Sequence, residues 1–115
     1  MAVVTRELTV LVARDDLSIT RASCAAGTRV TSPHVHHEHT DAFYVLEGEL
    51  TFELGPDADS VTVPAGEFVA VPPNVVHSFR NAGEQPARWL TIHAPDCGFA
   101  AFVRGIATDW DVSSA

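Results

Sequence analysis

The segment GTRVTSPHVHHEHTDAFYVLEG, residues 27–48, holds four of the chain's six histidines: His34, His36, His37 and His39. Residues two apart on an extended strand face the same side of a sheet, so His34 and His36 present both imidazoles to one point. Neutral imidazole is the commonest metal ligand near neutral pH, and a carboxylate beside it suits borderline divalent ions. Asp41 supplies that carboxylate within the segment, and His77 supplies another imidazole further along. His34, His36, Asp41 and His77 are therefore the candidate metal ligands. Parity constrains how they meet. Asp41 lies an odd number of residues from both His34 and His36, so an unbroken strand would turn it to the opposite face. A bend or bulge within residues 37–40 is required, and the four polar residues there suit an exposed corner. Past the corner, Asp41, Phe43 and Val45 should point inward, and Tyr44 and Leu46 outward. On the later strand His77, Phe79 and Asn81 share one face, and Val76 and Ser78 the other.

Outward from this segment the chain reads as all-β. Short apolar or alternating runs, each closed by turn residues, predict strands near 8–12, 17–23, 29–36, 42–46, 50–54, 61–63, 67–71, 75–80 and 88–93. Breakers such as Gly55-Pro56-Asp57, Pro64-Ala65-Gly66 and Pro72-Pro73-Asn74 separate them. Short strands at regular spacing without intervening helices favour a sandwich or closed barrel over βαβ units. One helical period occurs near the C-terminus, where Phe99, Phe102, Val103 and Ile106 recur on one face. It predicts a short helix over about 98–106, with Asp96 as its cap, closing one end of the barrel. The following residues, Asp109 to Ala115, are polar apart from Trp110 and Val112, and are expected to be ordered by contact with a neighbour.

Size and charge exclude several classes. The chain has 115 residues, enough for one domain over 1–115 that buries about two-thirds of its unfolded surface. A net charge of −8 with only seven basic residues argues against nucleic acid or an anionic membrane as partner, since both need a basic footprint. No apolar run approaches the roughly 20 residues of a membrane span. The first residues lack the basic start and apolar stretch of a signal peptide, so a cytoplasmic protein is expected. Cys24 and Cys97 stand far apart without a CxxC spacing and are read as free thiols.

Two motifs together resemble the small single-domain cupins of the conserved-barrel type, including the quercetinase-like ones. Gly27, His34-Val35-His36, Asp41 and Gly48 follow the first cupin motif, and Gly66, Pro72, His77 and Asn81 follow the second. The resemblance is close over about 27–81 and looser in the flanking strands. It implies a double-stranded β-helix, the jelly-roll barrel, with one divalent metal ion (Fe, Mn, Ni or Zn) held by His34, His36, Asp41 and His77. Three departures stand out. Gly27 lies one residue further from the HxH than the pattern expects. Asn74 replaces the motif glycine, a mild change because Asn tolerates left-handed backbone. Asp41 replaces the usual Glu; being one methylene shorter, it either ligates from a backbone drawn inward or orients a histidine from outside, with Glu38 or His39 able to curl in instead.

The remaining candidates lie around that centre. His37 is read as an outward, solvated neighbour and His39 as a corner residue. His93 is placed at the surface end of the last strand, becoming a pocket acid/base or an extra ligand if its face lines the barrel. Phe43, Phe52, Phe79, Thr91 and His93 are the candidate walls of a substrate pocket. Three histidines with one carboxylate leave positions open for substrate or dioxygen, which is the mark of a catalytic site. The resemblance implies a metal-dependent enzyme acting on a small oxygenated organic molecule, with dioxygenase chemistry leading. The alternatives are a Zn- or Ni-dependent isomerase or hydrolase, and a non-catalytic barrel that binds or senses a small ligand. Apolar outward residues such as Tyr44, Leu46 and Val76 predict a homodimer.

Overall fold

A computed structural model describes residues 5–115. The strands are β1 (Glu7–Ala13), β2 (Ser18–Cys24), β3 (Arg29–Val35), β4 (Thr40–Glu47), β5 (Glu49–Leu54), β6 (Asp59–Pro64), β7 (Phe68–Val71), β8 (His77–Arg80) and β9 (Ala87–Ala94). A short helix, α1 (Phe99–Val103), and a last strand, β10 (Ser113–Ser114), complete the chain. All nine predicted strands are present, with ends displaced by a few residues at most. They form two five-stranded antiparallel sheets, ordered β1-β2-β9-β4-β7 and β10-β3-β8-β5-β6. None of the described helices is long and apolar enough to cross a membrane.

The two sheets face each other across the core because their strands alternate. On β2 the inward residues are Ser18, Thr20, Ala22 and Cys24, and on β9 they are Ala87, Trp89, Thr91 and His93. Asp41, Phe43 and Val45 of β4 point inward while Tyr44 is exposed, as parity predicts. The apolar half of the core centres on Phe43, Phe52 and Phe79, whose rings pack at 4.9–5.0 Å. Trp89 stands edge-on to Phe79 at 5.6 Å, an arrangement that the ring quadrupoles favour. This aromatic block fills one end of the barrel and leaves the other end to the histidines. Cys24 is buried and Cys97 half-buried, and both are free thiols.

Two turn positions carry the motif. Gly48 joins β4 to β5 at φ +73°, and a Cβ placed there would lie 2.5 Å from the Pro86 carbonyl oxygen. Only glycine fits both the left-handed backbone and that approach. Asn74 occupies its position at φ 68°, the geometry expected of the residue standing in for glycine.

The C-terminal expectations need correction. The helix covers 99–103 rather than 98–106. It ends at Arg104, Gly105 turns left-handed at φ +73°, and Ile106 is 78% exposed instead of packed. Asp96 does receive the Gly98 and Ala100 N–H groups, at 3.1 and 3.0 Å, but the N-cap position itself is Gly98. The segment after the helix is ordered by its own barrel, not by a neighbour. β10 pairs with β3, setting Ser113 opposite Val35 and Ser114 opposite His34. Just before it, the Asp111 carboxylate accepts the His37 and Glu38 backbone N–H groups at 3.0 and 2.7 Å. Those two N–H groups lie in the bend between β3 and β4, where no sheet partner is available. A carboxylate answers them with charge-assisted bonds.

Candidate metal centre

The break that parity requires falls between Val35, where β3 ends, and Thr40, where β4 begins. His34 leaves β3 directly opposite His77, the first residue of β8. His36 lies just past β3, and Asp41 enters from β4, opposite Val71 and His93. Because of the bend, residues of opposite parity meet. His34, His36, Asp41 and His77 are all buried, and one donor atom from each lies within 4.8 Å of the others.

The hydrogen bonds around the cluster set what these atoms can do. His34 Nδ1–H donates to the Ser32 carbonyl at 2.7 Å, His36 Nδ1–H to the Asp111 carbonyl at 2.7 Å, and His77 Nδ1–H to the Val75 carbonyl at 2.9 Å. Each carbonyl can only accept, so in a neutral ring the proton sits on Nδ1 and the Nε2 lone pair is left free. His36 Nε2 lies 3.1 Å and His77 Nε2 3.2 Å from Asp41 Oδ2. Lone pairs and a carboxylate at such distances repel unless a proton or a cation lies among them. Neighbouring donors on a six-coordinate ion with bonds of about 2.1 Å stand about 3.0 Å apart. The donor set therefore fits a divalent ion both in chemistry and in spacing, and the backbone carbonyls supply the outer contacts that orient metal-binding imidazoles.

For His34 and Asp41 the electrostatics favour a neutral ring and an ionised carboxylate. Burial, reinforced by the neighbouring His77, lowers the His34 pKa from 6.5 to about 4. Burial alone would raise the Asp41 carboxyl, but His93, His36 and His77 around it hold it well below the ordinary carboxylate range. The short Asp41 side chain thus reaches the imidazoles without help from Glu38, which is exposed at the corner.

Two histidines differ from expectation. His39 is not an exposed corner residue: it is 1% exposed, and its Nδ1–H donates to Asp111 Oδ2 at 2.8 Å. Burial and the nearby His93 and His36 lower its pKa to about 4. His93 is not at the surface: it is 2% exposed, with Nε2 3.0 Å from Asp41 Oδ1 though not aligned for a hydrogen bond. The face of β9 that carries Trp89 and Thr91 lines the barrel, and His93 goes with it. His37 is exposed as read, bridging Asn74 and Ser113 at 3.0 and 3.2 Å.

A narrow cavity of about 40 Å³ adjoins the cluster. His34 and Asp41 border it, together with Phe43, Phe79, Thr91 and His93. Phe52, the remaining pocket candidate, packs behind that wall, stacked on Phe79 at 5.0 Å. Two contributors had no local signal in the sequence. Trp110 also lines the cavity and packs on His36 at 5.0 Å and Phe99 at 4.7 Å, while Asp111 holds His39. The only hint at either was a lone tryptophan in a polar tail.

Two facing antiparallel sheets with a histidine–carboxylate cluster at one barrel end define a cupin, and the chain belongs to that family: the cupin domain matches residues 21–93. It is 41% identical over 54 residues to quercetin 2,3-dioxygenase of Bacillus subtilis, covering 47% of this chain and 15% of that protein. It is 35% identical over 78 residues to germin-like protein subfamily 2 member 2 of Arabidopsis thaliana, covering 65% and 35%. The chain thus spans a minor part of both relatives. Among solved structures, an uncharacterized conserved protein with a double-stranded β-helix domain from Klebsiella pneumoniae superposes with a TM-score of 0.70 at 22% identity, covering 82% of this chain and 77% of that one. A candidate sugar phosphate isomerase from Acidithiobacillus ferrooxidans superposes with a TM-score of 0.62 at 29% identity, covering 69% and 50%.

Proposed function

We propose that this cupin is a metal-dependent enzyme acting on a small oxygenated organic molecule, with oxygenation by dioxygen as its reaction class. One observation carries the reading: three imidazoles are clamped by backbone carbonyls, two of them (His36 and His77) turn Nε2 onto the Asp41 carboxylate, and His34 keeps a donor within 4.8 Å of the others, beside a cavity whose walls are largely apolar. A divalent ion in that cluster supplies Lewis acidity and, when the ion is redox-active, electrons for dioxygen chemistry. His34, His36, Asp41 and His77 are its proposed ligands, and on a six-coordinate ion these four donors would leave positions open for substrate or dioxygen. Phe43 and Phe79 exclude water and hold a planar substrate face. Thr20 Oγ1, buried on the cavity wall without a partner, offers a hydrogen bond to a ligand oxygen. The similarity to quercetin 2,3-dioxygenase over the motif region supports the same class. An isomerase of phosphorylated sugars is less well supported, because no arginine or lysine lines the cavity among the described residues and a phosphate needs such donors.

Elemental analysis of untagged protein, followed by oxygen-uptake assays with flavonols and diketones, tests the proposal. Near-stoichiometric iron or manganese with substrate-dependent oxygen consumption is the expected result. His77→Ala should weaken metal binding roughly tenfold or more and alter the Co(II) absorption spectrum while leaving the circular dichroism spectrum unchanged, and a variant with wild-type affinity and spectrum would refute the ligand set. A second reading, a non-catalytic ligand-binding barrel, draws on the buried, partnerless Thr20 Oγ1 on the cavity wall, which would anchor a small ligand oxygen without any chemistry. Tight binding without turnover across the same compounds would establish that reading instead.

A further inference from the structure

Donor atoms continue beyond the His34, His36, Asp41 and His77 cluster. One donor each from His36, His39 and His93 lies within 4.8 Å of the others, and the same holds for His39, Cys97 and Asp111. Consecutive sets share a residue, His36 between the first and second and His39 between the second and third. Burial relaxes along the series. The first two sets are fully buried, whereas Cys97 and Asp111 are half-buried and border an open surface cleft with His37 and Glu38.

His39 carries the observation that a packed corner does not explain. Its Nδ1–H donates to the Asp111 carboxylate, and its Nε2 is buried without any partner. An imidazole oriented by a carboxylate through one nitrogen, with the other lone pair bare, is the arrangement that serves a cation. Beside it, His93 keeps Nδ1 without a partner and Nε2 unaligned with Asp41. His36 has already committed Nδ1 to the Asp111 carbonyl, so its one remaining nitrogen serves either the first set or the second. The two sets are alternatives for a single ion.

We propose that His36, His39 and His93 form a second cation position that stages a divalent ion between the surface cleft at Cys97 and Asp111 and the buried centre at His34, His36, Asp41 and His77. Because neighbouring positions share a residue, His36 and then His39, an ion moving along the series passes from one set of protein donors directly to the next. It need not regain its full hydration shell inside an apolar barrel. The cleft favours entry: Asp111, Glu38 and Asp96, which with burial push the Cys97 thiol pKa up, also attract a cation.

The inference rests on the metal-binding reading, and Co(II) binding to the untagged full chain separates the two by visible absorption. Wild type should take up one equivalent. His39→Ala should reach the same endpoint but load, and release to a chelator, roughly tenfold more slowly. The double variant H34A/H77A should retain one equivalent with an altered spectrum, and adding H93A should abolish it. Loading of H39A at the wild-type rate, or a natively folded H34A/H77A that binds no Co(II), would overturn the staging position while leaving the main centre intact. If H34A/H77A does not fold, the H39A rates decide alone. No uptake by wild type would remove the metal reading and this inference together.

Discussion

Asp41 and His34 show how far single residues determine the centre. A carboxylate and imidazoles of opposite strand parity converge because four polar residues interrupt the strand between them, and that much is legible from spacing. The protonation states follow from burial. His34 and His39 have pKa values lowered to about 4 from 6.5, so folding keeps them neutral where the unfolded chain would charge them. Their contribution to stability is present above pH 6.5 and is lost as pH falls through about 4, because the unfolded state then binds more protons. Asp41, with its depressed pKa, acts in the same direction at lower pH. The melting temperature of chelator-treated protein should therefore fall progressively as the pH is lowered from about 6.5 to about 4. A flat profile across that window would show that these imidazoles are already solvated or charged. His39 was not legible because its burial comes from Asp111 and Trp110, which lie some seventy residues downstream; nothing adjacent to it in the chain marks it as covered. His93 was half-legible. Its register with Trp89 and Thr91 could be read, but the direction of that face depends on which strands flank β9.

Among the elements, the segment from Trp110 to β10 has the largest effect for its length. It satisfies the backbone of the β3–β4 bend, orients His36 through a carbonyl and His39 through a carboxylate, and roofs the histidines with an indole. Asp111→Ala should destabilise the protein by about 1–2 kcal/mol, since the buried His39 Nδ1–H loses its charged acceptor and the exposed His37 and Glu38 N–H groups lose theirs to water. Urea denaturation would read the loss. Amide exchange should show it concentrated at residues 36–40, and uniform loosening would argue against a local role. The turn between β4 and β5 is the other sensitive element. Gly48→Ala should cost about 3 kcal/mol, combining left-handed strain with the approach to Pro86, and an unchanged midpoint would contradict the geometry. Strand positions were legible because alternation is a local property. The limits of α1 were not: the apolar period continues to Ile106, yet Gly105 breaks the helix before that residue can pack.

At the scale of the molecule, the outer face of the β1-β2-β9-β4-β7 sheet bears on association. Phe68 is 66% exposed on the edge strand β7, and its cross-strand neighbour Tyr44 is 40% exposed. Large apolar side chains along an edge strand invite a second strand or sheet, and a homodimer through this face is the expected state. Light scattering at micromolar concentration should give twice the 12.3 kDa chain mass, reduced to one by Phe68→Glu. A monomeric wild type would count against it. The fold as a whole was legible because two motifs with matched spacing constrain it jointly. The burial of His39 was not, because three-dimensional closure by the last segment decides it.

That closure also sets an order of events during synthesis. Every residue that faces the buried centre, from His34 to His93, leaves the ribosome before Trp110 and Asp111 do. The barrel can pair its strands as an open cup, and the indole and carboxylate of the chain that follows can cover the histidines only afterwards.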